Sequence, residues 1–208
     1  MRIGTIQGIP LHLHSTFFLI TGFYLISSFI SGGILEMALS LVLVFLLFGS
    51  VFLHEMGHAL MARRYGIGTR SITLHLLGGF ASIEREPRVP KEEIAIALAG
   101  PGINAVLFMG SFPLIILGVP FSFEFGFINL IMGVFNLVPA YPMDGGRVLR
   151  AILNSRYGYE EATRLSFNVT KVIGWGFVAA GIFYGWFGLG LIGGFLLFIT
   201  YTHGQQGR

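Results

Sequence analysis

The sequence predicts an all-α membrane protein of about six transmembrane helices, with a small β-hairpin between the second and third. Three observations carry that prediction. The 208 residues are 54% hydrophobic and only 11% charged, with a mean hydropathy of +0.77, whereas a soluble domain carries about a quarter charged residues. The apolar residues fall into runs of roughly membrane-spanning length, about 20 residues each. When six spans are drawn, all 13 Lys and Arg residues lie on one side.

The elements follow in order. Arg2 precedes an apolar stretch from about Leu11 to Ile30. It is longer than the apolar core of a signal peptide and no small-residue cleavage pattern follows, so it is read as a retained first span. Ser31–Gly33 turn the chain. Span two covers about Leu35–Ala62 and Arg63 and Arg64 close it. In the 66–91 connector, Ile72, Leu74 and Leu76 alternate with polar residues before Gly78-Gly79, the pattern of a hairpin. Span three follows Pro90, with Glu92 and Glu93 in its first turn where carboxylates suit the helix dipole. It ends near Leu117, and Gly118–Pro120 turn the chain. Span four covers about Phe123–Val138, until Pro139 and Pro142 interrupt it. A more polar helix over about Gly146–Asn154 and a charged connector, Arg156–Lys171, come next. Spans five and six cover about Val172–Tyr184 and Leu189–Tyr201. Gly181-x-x-x-Gly185 and Gly190-x-x-x-Gly194 suit close helix packing within the chain.

The one-sided Lys and Arg give an N-in, C-in topology. They read as topology anchors and headgroup partners, which excludes a nucleic-acid face despite a net charge of +3. The bilayer is the expected partner. There is no cysteine, hence no disulfide and no thiolate ligand.

Span two contains His54-Glu55-x-x-His58. Residues four apart share a helix face, so the two imidazoles can converge on one metal ion, with Glu55 beside them as a base. Counting back from Arg63 puts the pair about 8–14 Å below the cytoplasmic boundary. Ionisable residues at such depth are costly unless paired or liganded; a hydrogen-bonded His–Glu cluster without metal is the alternative. Catalytic zinc usually takes three protein ligands, and without cysteine the third must be His, Asp or Glu. Asp144, the only aspartate, follows the broken end of span four at a similar depth. Broken backbone at membrane depth belongs in a protein-lined cavity, which makes Asp144 a ligand candidate. A helix-capping pair with Arg147 is the other reading. His12 and His14 at the start of span one read as interfacial, and His75 and His203 as solvent or headgroup residues.

These motifs, with Asn136-x-x-Pro139-x-x-Pro142-x-Asp144-Gly145 and Ala99-Gly100-Pro101-x-x-Asn104, resemble the site-2 protease family of intramembrane zinc metalloproteases. Gly78-Gly79 fits a weaker signature. The resemblance implies one zinc ion per chain held by His54, His58 and Asp144, with Glu55 as catalytic base. It implies that Asn104 and Asn136 hold the substrate backbone or the oxyanion, and that the hairpin dips into the membrane near the site. The implied partner is a transmembrane protein substrate, cut near the cytoplasmic side. The 66–91 connector cannot hold a PDZ domain, and the sequence stops soon after span six, so no cystathionine-β-synthase-like domain is expected. Residues 1–208 are therefore expected to form a single catalytic domain, a minimal core or one trimmed to that size. The short cysteine-free chain leans toward a prokaryotic cytoplasmic membrane. Two other functions use the same residues: an ion or proton carrier with His54, Glu55, His58 and Asp144 as a relay, and an inactive binding scaffold. The apolar outer halves of the spans disfavour the first, and the intact Glu55 disfavours the second.

Overall fold

The computed structural model describes residues 1–75, 78–87 and 89–203. Leu76 and the side chain of His203, both invoked above, lie outside that set, as do Arg88 and Arg208 among the 13 Lys and Arg residues. The order is β1 (Arg2–Ile6), β2 (Ile9–Leu13), α1 (Ser15–Arg64), β3 (Thr69–His75), β4 (Gly78–Ile83), α2 (Pro90–Ile116), α3 (Ser122–Asn136), α4 (Asp144–Tyr157), α5 (Tyr159–Phe183) and α6 (Phe187–His203). Among the described residues three helices, α1, α2 and α5, are long and apolar enough to cross a membrane; α3 and α6 are shorter apolar helices.

Two compact units divide the chain. One comprises Met1–Glu86 and Ala99–Gly133, the other Pro87–Leu98 and Val134–Arg208.

The first unit is built on α1. A straight helix of its 50 residues would reach about 75 Å, far beyond a hydrocarbon core of about 30 Å. It breaks at Gly33, whose φ of 72° is a conformation that glycine adopts without strain. The two arms then run back along each other. Ser40 donates to Ser28 at 2.7 Å, and the Phe17 and Phe48 rings meet at 4.4 Å. The expected turn between spans one and two is therefore present within α1.

The expected hairpin is also present, as antiparallel β3 and β4, but it belongs to a four-stranded sheet of order β1-β2-β3-β4. Span one does not start at Leu11. Ile9–Leu13 form β2, paired antiparallel to β1 and parallel to β3, and the helix begins only at Ser15, capped by His14. The missed signal is Gln7-Gly8, both at positive φ (53° and 83°), a two-residue hairpin turn. Ile9 and Leu11 alternate onto the sheet face that packs on Val51, Met56 and Ala59 of α1. That alternation is masked by the apolar run that follows. His12 lies in β2, not on a helix. The half-buried His75 packs its ring against that of His14, with centroids 4.6 Å apart.

In the second unit, α4 is longer than expected. The supposed connector 156–171 is helical, because Gly158 turns the chain at φ 81° and α5 starts at once, with Glu160 and Glu161 in its first turn. Arg150 corrects the reading of all basic residues as anchors. It is buried, and its Nε and Nη2 both donate to Oε1 of the fully buried Glu93, at 2.8 and 2.5 Å. Its guanidinium also lies over the Tyr159 ring. Helices α5 and α6 pack closely where Gly181 meets Gly190, whereas Gly185 lies beyond the end of α5 and a Cβ at Gly194 would meet nothing within 4 Å.

Candidate metal centre

His54, Glu55 and His58 lie in the second arm of α1, on the stretch covered by the sheet, and all three are buried. The helical spacing brings the Nε2 atoms of the two histidines to 3.1 Å. Two imidazoles on one tetrahedral zinc, each about 2.0–2.1 Å from it, hold their nitrogens about 3.3 Å apart. The pair therefore fits a shared zinc ion.

Gly100 of α2 shows why that space persists. A Cβ there would fall 2.3 Å from His58 Nε2 and 2.7 Å from His54 Nε2. The Ala99-Gly100-Pro101 motif thus places a residue without a side chain over both Nε2 atoms. Gly79 of β4 does the same for Glu55, since a Cβ at 79 would fall 2.3 Å from its Cγ. The sheet accordingly lies directly against the carboxylate, and β4 is an edge strand of it.

Asn104, one turn beyond Gly100 in α2, is fully buried and contacts His54 Nδ1 through Oδ1. Its Nδ2 donates to Asn129 Oδ1 at 2.9 Å and lies 3.4 Å from Met132 Sδ. Asn129 of α3 reaches back to Ser50 of α1. Sequence reasoning missed Asn129 and Ser50. The available signals were an asparagine in the middle of an apolar helix and a serine one turn before His54.

Asp144 and Asn136 belong to the second unit. Asn136 ends α3 and is half-buried. Asp144 opens α4 and is buried, with Arg147 Nη1 3.5 Å from Oδ1. Its position depends on how α4 docks against the interrupted segment before it. A Cβ at 145 would fall 2.3 Å from the Leu137 carbonyl oxygen, and one at 146 would fall 2.6 Å from Ala140 C. Tyr141 N donates to Thr170 Oγ1 of α5 at 2.8 Å, which holds the segment.

The model of peptidase family M50 matches residues 42–122 and 117–177. A zinc metalloprotease of Methanocaldococcus jannaschii is 40% identical over 178 residues, 82% of this chain and 50% of that protein. Stage IV sporulation protein FB of Bacillus subtilis is 29% identical over 162 residues, 76% of this chain and 52% of that protein. The chain spans about half the length of these curated relatives. A solved structure of a site-2 protease from Methanocaldococcus jannaschii superposes with a TM-score of 0.74 at 34% identity, covering 100% of this chain and 95% of that one.

Proposed function

This chain belongs to peptidase family M50, the site-2 protease family, and from that premise we propose that it is a zinc endopeptidase that cuts transmembrane segments near the cytoplasmic face. The observation that carries the proposal is the buried pair of convergent Nε2 atoms, 3.1 Å apart, with Glu55 at the intervening turn of an apolar helix. The zinc metalloprotease relative does not favour the ion-carrier or inactive-scaffold readings.

Asp144 is proposed as the third protein ligand of one zinc ion. What supports it is chemistry: His54, His58 and Asp144 are all buried and each offers one ligand atom, and the chain has no cysteine. Bound zinc supplies Lewis-acid polarisation of the scissile carbonyl and acidifies a water. Glu55 takes the proton from the attacking water and delivers it to the leaving amine nitrogen. The sheet over Glu55 limits access of bulk water to that carboxylate. Asn136 is the proposed contact for the substrate backbone. The burial of Asn104 and its contact with His54 suit a role behind the ligand better than a direct contact with substrate.

A peptide bond inside a helix is shielded by its own hydrogen bonds, so the substrate must unwind before it is cut. Edge strand β4, pressed against Glu55 at Gly79, offers backbone groups to an extended segment by strand addition. Cleavage is therefore expected at or near helix-destabilising residues. Six spans are proposed, from the two arms of α1 with α2, α3, α5 and α6. The one-sided Lys and Arg support an N-in, C-in orientation in a prokaryotic cytoplasmic membrane, with residues 1–208 acting as one catalytic domain.

The test is zinc content and cleavage of a transmembrane substrate in proteoliposomes. About one zinc per chain, lost in Asp144→Ala, and cleavage abolished by chelator are expected. Full cleavage by the zinc-free protein would refute the proposal.

A further inference from the structure

The hydrogen bonds behind His54 form a relay whose direction is fixed at its far end. Asn129 presents one side-chain atom to the Phe125 carbonyl oxygen at 2.8 Å and to Ser50 Oγ at 3.0 Å. A carbonyl oxygen only accepts, so that atom is Nδ2. Ser50 independently requires the same assignment. Its one hydroxyl proton goes to the Leu46 carbonyl at 2.8 Å, which leaves its oxygen to accept from Asn129.

Asn129 Oδ1 must then face Asn104, and only Asn104 Nδ2 can donate to it, at 2.9 Å. The weak acceptor Met132 Sδ, 3.4 Å from the same nitrogen, agrees with that assignment. Asn104 is left presenting Oδ1 to His54 Nδ1. That nitrogen must carry the ring proton, and His54 Nε2 keeps its lone pair. Reversing Asn104 would set its Oδ1 against Asn129 Oδ1, two acceptors with no proton between them. With Asn104, Asn129 and Ser50 at 0, 0 and 1% exposure, bulk solvent does not reach them to repair the mismatch.

We infer that Asn129 is a positioning residue: through Asn104, it holds His54 in the Nδ1–H tautomer, the form whose Nε2 is ready to ligate. It touches neither metal nor substrate. Two backbone carbonyls thereby set the proton position on the His54 ring, that of Phe125 from two side chains away and that of Leu46 from three. The use of this tautomer for zinc rests on the metalloprotease reading above, whereas the tautomer itself does not.

The test uses the metal-free full chain in lipid with ¹⁵N-labelled histidine, about two pH units above the ordinary imidazole pKa. The His54 signals are assigned by their loss in His54→Gln. Wild type should show Nδ1 protonated and Nε2 bare. Asn129→Leu frees Asn104 to reverse, so an Nε2–H population should appear and zinc retention against a chelator series should weaken about 10–100-fold. Asn104→Asp in the Asn129→Leu background supplies a carboxylate that only accepts, and should restore both the tautomer and zinc retention. A wild-type ring protonated on Nε2 overturns the inference. So does an Asn129→Leu protein that only melts earlier, with tautomer and zinc retention unchanged. Should Asn129→Leu fail to fold, the wild-type spectrum still decides. A wild-type chain with the Nδ1–H tautomer but no zinc affinity would sink the metalloprotease reading and leave the relay standing.

Discussion

The His54–His58 pair and Asp144 reach burial by opposite routes. The histidines sit in the middle of a long helix arm, where the helical repeat alone sets their spacing. Packing then only trims the rings, with Gly100 above the nitrogens and Asn104 behind His54. Asp144 opens a helix of 14 residues after an interrupted segment. Its place is fixed by glycines packed on backbone, by Thr170 holding Tyr141 and by the Arg150–Glu93 pair further along α4. A substitution beside the histidines should therefore damage the site with little harm to the fold. One behind Asp144 should damage both.

Four variants separate the two regions. The largest effect on the site is expected from Gly100→Ala, whose Cβ collides with both Nε2 atoms. Zinc retention should fall about a hundredfold or more while the melting temperature barely moves, as read by chelator competition and thermal unfolding. On the other side, Glu93→Gln leaves the buried Arg150 uncompensated and should cost about 3–5 kcal/mol of stability. Glu93→Met with Arg150→Met should recover most of it, because replacing a whole buried pair by apolar side chains is often neutral; equal melting losses in the single and double variants would count against the pair. A smaller effect is expected at Gly79→Ala, which pushes on Glu55 and leaves the histidines alone. Its kcat should fall up to about a hundredfold with zinc content unchanged.

The smallest effect is a pH dependence away from the site. Burial, and then the neighbouring His14, hold His75 below the ordinary imidazole range. The unfolded chain thus takes up a proton more readily than the folded one. The stabilisation is full above about pH 6.5 and is lost as pH falls toward the folded value. A melting temperature that declines on acidification below that point, with a flatter profile in His75→Gln, is the expected result.

The sequence legibility of the two regions differs for the same reason. His54, Glu55 and His58 were readable because their relation is local, four residues on one helix. Pro90 as the start of α2 and the β3–β4 hairpin were readable from local pattern as well. The sheet of four strands was not, since Ile9–Leu13 runs without a break into an apolar helix and only Gln7-Gly8 marks the turn. Arg150 looked like one more surface charge, because nothing near it in sequence names Glu93, 57 residues away. The helical start of α5 is hidden by its charges, which read as those of a connector. Asn104 was visible as a motif residue, but its contact with His54 depends on packing between α1 and α2.

The central claim is that Glu55 moves the proton in a zinc-dependent cleavage within the membrane. Glu55→Gln, assayed in proteoliposomes for cleavage of a transmembrane substrate and for zinc content on the same preparation, tests it most directly. The expected result is about one zinc per chain, as in wild type, with cleavage lost. Cleavage at the wild-type rate by the zinc-loaded Glu55→Gln protein would contradict the account.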